Sequence, residues 1–163
     1  MAFRRRDAPA PEPLPPDRLR VTAITLLSRR DYTARELETK LVERGATADD
    51  AAATVAALIA ERLVDDRRTA AAQVRTATQI KGRGRHRIAR ELVARGIDKD
   101  LVEETLADLT PEEEDAQIRR ILTAKRVTAE PDPATRRKLF QHLMRRGFST
   151  DAIARVLRTP LDD

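Results

Sequence analysis

Apolar positions recur along this chain at two periods. Leu37 and Leu41, Ile88 and Leu92, and Leu139 and Leu143 are pairs four residues apart, and each pair is followed four residues later by a glycine: Gly45, Gly96 and Gly147. These glycines are spaced 51 positions apart. Around them Thr47, Asp98 and Ser149 stand two residues later, Asp49, Asp100 and Asp151 four later, and Val55, Leu106 and Leu157 ten later. Several residue classes held in register over three copies define a tandem repeat.

The register predicts local structure. An apolar pair four apart lines one helix face. Glycine supplies the left-handed residue that closes the helix, and the preceding Arg44, Arg95 or Arg146 suits its negative end. Thr, Asp or Ser then caps a second helix, whose early Asp lies near its positive end. Apolar residues continue at helical spacing through Ala51, Val55, Leu58 and Ile59, through Val102, Leu106 and Leu109, and through Ile153, Val156 and Leu157.

A further helix is expected before each pair. The first runs from Asp17 to Arg29 on Leu19, Ile24 and Leu27. The second runs from Asp65 to Ile80, anchored by Val74 and Ile80 and otherwise burying little. The third opens at the capping box Thr110-Pro111-Glu112-Glu113 and ends near Lys125. Thr33 to Glu36 forms another capping box, and Asp132-Pro133 starts a helix in the same way. The expected fold is all-α, with three tandem three-helix repeats (17–63, 64–109 and 110–159) stacked into an elongated, curved array. Aromatic residues are few (Phe3, Tyr32, Phe140 and Phe148), which suits thin aliphatic cores.

Composition narrows the possible roles. A net charge of +5 favours an anionic partner. No stretch approaches the length of a spanning helix and no secretory apolar core stands near the start, so no membrane partner is expected. The absence of cysteine removes disulfides and thiol chemistry, and a cytoplasmic location follows. Residues 1–16 hold Arg4 to Arg6 and five prolines, which predicts a disordered arm.

The charge is distributed in blocks. From Lys81 to Arg95 six cations face Glu91 alone, and from Arg136 to Arg158 seven face Asp151 alone. Between them, from Asp98 to Asp115, nine acids face Lys99. The segment Lys81-Gly82-Arg83-Gly84-Arg85-His86-Arg87 is expected to be a flexible basic loop in front of a helix, suited to phosphate or an acidic surface. Cations around Leu139 and Leu143 spread over more than one face of their helix.

An enzyme is not expected: there is no phosphate-binding glycine loop, no metal-ligand cluster, no cofactor signature, and only His86 and His142 for acid–base work. The run Glu112 to Asp115 is expected to be a solvated face matched to its helix dipole. Helix, glycine turn, helix is also the outline of a helix-turn-helix DNA reader. Base reading calls for Arg, Asn or Gln in the first turns of the second helices. Those turns carry Asp49, Asp50 and Asp100 instead, which would repel a duplex. Sequence-independent DNA binding remains open as an alternative.

Several segments resemble the RecX family. Leu26-Leu27-Ser28-Arg29-Arg30-Asp31-Tyr32-Thr33-Ala34-Arg35-Glu36-Leu37 is similar to its opening signature. Leu63-Val64-Asp65-Asp66-Arg67 is similar to its step into a second unit, Lys81-Gly82-Arg83-Gly84 to its basic turn, and Arg146-Gly147-Phe148-Ser149 to a segment near its end. The resemblance covers about residues 17–158. It departs at Thr69-Ala70 and Gln73, where the family usually places an aromatic-Ala pair and a second aromatic. The resemblance implies three three-helix units and a non-enzymatic regulator, expected as a monomer. Such a regulator binds the RecA filament on single-stranded DNA, contacts that DNA within it, and suppresses RecA recombinase, ATPase and co-protease activity. The residues expected to supply the attraction are Arg83, Arg85, Arg87, Arg90, Arg136, Arg137, Lys138, Arg145 and Arg146.

Overall fold

The computed structural model describes residues 15–127 and 131–158. Most of the expected arm therefore lies outside the described residues. Nine α-helices and no strand occur among them: α1 Pro16–Leu27, α2 Ala34–Val42, α3 Ala48–Ala60, α4 Asp66–Gln79, α5 Arg85–Ala94, α6 Lys99–Ala107, α7 Pro111–Ala124, α8 Pro133–Arg146 and α9 Thr150–Arg158. The chain forms tandem three-helix repeats, all-α as expected. The expected repeat boundaries fall in the α3–α4 and α6–α7 connections.

The caps act where the sequence places them. The Thr33 and Thr110 side chains accept from the backbone of Glu36 and Glu113, whose carboxylates accept in return. Thr47, Asp98 and Asp132 cap α3, α6 and α8. Gly45, Gly96 and Gly147 all adopt positive φ, closing α2, α5 and α8. Each turn then leads directly into the next helix, so the glycine period becomes a structural period.

The first compact unit ends at Asp66. Its core joins Leu19, Ala23 and Leu26 of α1 to Leu37 and Leu41 of α2 and to Ala51, Val55 and Leu58 of α3. Ile24 and Ile59, expected inside, are exposed, because the buried stripes run through Ala23 and Leu26 and through Val55 and Leu58. The opening signature is a packing device. The Arg30 guanidinium lies 3.6 Å from the Tyr32 ring centroid and pairs with Glu36 at 3.2 Å. Asp66 Oδ1 accepts from the Ala34 backbone at 2.9 Å, tying the start of α4 to the start of α2.

The second compact unit begins at Arg67 and contains both later triplets. One core cluster gathers Ala70, Val74 and Ala77 with Ile88, Leu92, Ile97, Val102 and Leu106. Another gathers Ile118, Ile121 and Leu122 with Leu139, Leu143, Phe148, Ile153, Val156 and Leu157. Helix α4 corrects its sequence reading. It buries Thr69, Ala70, Val74 and Ala77, small side chains that allow close approach, while Ile80 is 79% exposed.

Thr69 is 3% exposed and its hydroxyl has no hydrogen-bond partner among the described residues. An unsatisfied buried hydroxyl costs about 1–3 kcal/mol. Thr69→Val keeps the shape and removes that penalty, so urea denaturation should show a gain of about 1 kcal/mol. A loss would show that the hydroxyl is satisfied in solution.

Candidate cationic interface

Helix dipoles show where the fold tolerates charge it does not need. Helices α2, α3, α4, α6, α7 and α9 all carry an acidic residue in the first turn, where the helix end is positive. Helices α5 and α8 carry none. The first turn of α5 holds Arg85 and Arg87; that of α8 ends on Arg136, with Arg137 and Lys138 just beyond it, although Asp132 caps this helix. Each misplaced cation costs roughly 0.3–1 kcal/mol in an isolated helix. Something else must engage it.

On α5 the fold itself supplies that engagement. Arg85 Nη2 donates to the Leu106 and Leu109 carbonyls, at 2.9 and 3.4 Å, binding the start of α5 to the end of α6. Arg87 Nε donates to Glu91 Oε1 at 3.0 Å, and Arg83 forms an ion pair with the other oxygen of the same carboxylate. Burial tends to raise the Glu91 pKa, but hydrogen bonds and charge from Arg87 and Arg83 outweigh it and leave it below the usual glutamate value. Three of the nine expected contact residues are therefore tied into the structure. Arg90, on the outer face of α5, is exposed and has no ion pair among the described residues.

The expected flexibility of residues 81–87 is also corrected. The Gly84 backbone N–H donates to Arg146 O at 2.9 Å and that of His86 to Gly147 O at 3.0 Å. Gly84 is buried, and a Cβ there would stand 2.2 Å from the Phe148 backbone nitrogen. Two glycine turns interlock, and the backbone approach leaves no room for a side chain. Reversing Arg83, Arg85 and Arg87 would therefore strike the fold as well as any contact.

On α8 Asp132 caps the helix start, but no ion pair among the described residues answers the cations that follow it. Arg136, Arg137, Lys138 and Arg145 are exposed and make no ion pair among the described residues. Positions 133, 136, 137, 140, 141 and 144 follow helical spacing, so Arg136 and Arg137 share a stripe with half-buried Phe140 and exposed Met144. Pro133, Arg136, Arg137, Phe140 and Gln141 line one shallow depression. Arg146 belongs elsewhere: its Nε donates to His142 Nε2 at 3.0 Å and its Nη1 to Gly82 O at 3.1 Å.

The acidic block has internal work. Glu113 completes the capping box of α7. Glu114 accepts from the Ser149 backbone and hydroxyl, at 3.1 and 3.0 Å. Buried Asp115 holds Arg155 through two 2.7 Å hydrogen bonds. Glu114 and Asp115 pin α9 to α7, while Glu112 and Glu113 form the expected solvated face at the start of α7. Among the described residues no helix is long and apolar enough to cross a membrane. Sequence reasoning missed Arg120 and Lys125 on α7, because the acidic first turn of that helix dominates its linear charge.

This arrangement defines a class: a tandem three-helix repeat protein with one helix of exposed cations that form no ion pair among the described residues. Models of the first, second and third three-helix domains of RecX match residues 20–58, 65–106 and 112–157. The chain belongs to the RecX family. It is 35% identical over 142 residues to the regulatory protein RecX of Halorhodospira halophila, covering 83% of each chain. Against the regulatory protein RecX of Mycobacterium ulcerans the figures are 31% over 149 residues, covering 90% of this chain and 86% of the relative. The crystal structure of RecX from Lactobacillus salivarius superposes with a TM-score of 0.80 at 25% identity, covering 88% of this chain and 94% of that one.

Proposed function

We propose that this chain is a non-catalytic regulator that binds the RecA filament on single-stranded DNA and suppresses its recombinase, ATPase and co-protease activities. It needs no cofactor and acts as a monomer in the cytoplasm. Family membership supports a regulatory role, and the observation that carries the partner class is the run of exposed cations in the first half of α8. Arg136, Arg137 and Lys138 follow the Asp132 cap as three consecutive exposed cations, with no acid between residues 133 and 146. Cations left exposed, with no ion pair among the described residues, are available to an anionic partner. A nucleoprotein filament presents such a surface along its length, both as acidic protein side chains and as phosphate.

Arg90 and Arg145, also unpaired among the described residues, extend the same contact. Arg83, Arg85 and Arg87 contribute through the field they add and through holding α5 in place. The test is ATP hydrolysis by RecA on single-stranded DNA with increasing amounts of the chain. The rate is expected to fall severalfold before saturation. An unchanged rate at saturating chain would remove the proposal.

A further inference from the structure

Behind the Gly82 turn lies a cleft of about 380 Å³, formed by the end of α4, the turn itself, the second half of α7 and Arg146. Its charged walls are Lys81, Arg120, Lys125 and Arg146, and no acidic side chain lines it among the described residues. Two of these cations are held by neutral groups. Arg120 Nη2 donates to Thr78 O at 3.0 Å. Arg146 is held by His142 and by the Gly82 carbonyl, as above. Carbonyls and a neutral imidazole orient a guanidinium without offsetting its charge, whereas Asp115 offsets that of Arg155 and Glu91 part of that of Arg83 and Arg87.

Gly82 makes this placement possible. Its φ is +56°, and a Cβ there would stand 2.8 Å from Arg146 Nη1. Lys81 and Lys125 are exposed and form no ion pair among the described residues. Four like charges around one cleft repel each other, and the repulsion is relieved when an anion enters. Exposed Ile80 also lines the cleft, beside Lys81. An apolar side chain among cations suits a ligand that alternates charge with flat apolar rings, and single-stranded nucleic acid is such a ligand.

We propose that this cleft binds the phosphodiester backbone of single-stranded nucleic acid. Arg120 and Arg146 donate to phosphate oxygens, Lys81 and Lys125 neutralise the flanking phosphates, and Ile80 packs against a base. The proposal rests on the functional reading above only in placing the chain beside single-stranded DNA. His142 supplies a reporter. Its own burial, then charge from Lys125, Arg146 and Arg145, holds its imidazole below the ordinary value. A phosphate bound to the same cations offsets their field and moves the His142 pKa upward.

The experiment uses the full chain without RecA and a fluorescein-labelled single-stranded oligothymidylate, read by anisotropy over a range of salt. Lys81→Ala with Lys125→Ala removes two cations that brace nothing in the fold, and a matching thermal melt confirms that the variant is folded. At about 0.1 M salt its affinity is expected to fall on the order of tenfold. The slope of log affinity against log salt should become shallower by about 1.4, the value for two single-strand phosphates. NMR titration should show the His142 pKa rising when the strand is added to the original chain and not to the variant. Equal affinity and slope for the two proteins would overturn the proposal, as would strand binding that leaves His142 unmoved. It would also be overturned by undetectable strand binding at low salt. If filament binding weakened in the variant all the same, an acidic protein surface would be the occupant. Inhibition of RecA ATP hydrolysis is measured separately, so the regulatory reading can survive failure of this one.

Discussion

Replacing Gly84 or Gly147 with alanine is expected to destabilise the unit that begins at Arg67 by about 3 kcal/mol or more. The two residues meet at one point. A Cβ on Gly84 would lie 2.2 Å from the Phe148 nitrogen and 2.3 Å from the Gly147 carbonyl carbon. A Cβ on Gly147 would lie 2.5 Å from the Arg87 nitrogen. These neighbours are backbone atoms, which cannot swing aside as a side chain can. Gly147 also adopts φ +87°, which costs a residue with a Cβ roughly 1–2 kcal/mol. Relief requires separating the α4–α5 turn from the α8–α9 turn, with loss of the Gly84 and His86 hydrogen bonds. Urea denaturation followed by circular dichroism should give a lower midpoint for each variant. Because the clash is shared, the double variant should lose less than the sum of the two. A loss below about 1 kcal/mol would show that the turns do not interlock in solution.

The second large effect concerns α8 and leaves the fold intact. Changing Arg136, Arg137 and Lys138 together to glutamate should weaken inhibition of RecA ATP hydrolysis by at least about tenfold in the concentration required. The same change should leave the melting temperature nearly unchanged, because the three side chains are exposed and form no ion pair among the described residues. Functional loss at unchanged stability distinguishes a contact residue from a structural one. Undiminished inhibition in the folded variant would exclude this turn from the interface.

The repeat was legible in the sequence because it is written in backbone requirements. Gly45, Gly96 and Gly147 needed left-handed geometry, and Thr33, Thr47, Asp98, Thr110 and Asp132 needed to follow a chain break with a cap. Local signals of this kind survive without knowledge of tertiary packing. Faces were less legible. Ile24, Ile59 and Ile80 are the larger apolar residues of their segments, yet Ala23, Leu58 and Ala77 are the buried neighbours. Size points inward only where there is room, and α4 packs closely through Ala70 and Ala77.

Charge was the least legible property. Arg83, Arg85, Arg87, Arg90, Arg136, Arg137, Lys138, Arg145 and Arg146 look alike along the chain. The fold divides them by acceptors far away in sequence: the Leu106 carbonyl for Arg85, the Gly82 carbonyl for Arg146, and none among the described residues for Arg136, Arg137 and Lys138. Flanking glycines likewise suggested mobility at Lys81 to Arg87, but Gly84 is there because Gly147 presses against it. In the same way Arg120 joins Lys81 and Lys125 only through packing of α7 on the end of α4. Linear charge counting cannot see such a group.

The most direct test is to titrate the original chain and the triple glutamate variant side by side into RecA filaments formed on single-stranded DNA with ATP, following the rate of hydrolysis. Strong inhibition by the first, and inhibition shifted to at least about tenfold higher concentration for the second, is the predicted result. Superimposable curves, or no inhibition by either protein, would contradict the claim that cations left unanswered by the fold are what this repeat protein uses to hold the filament.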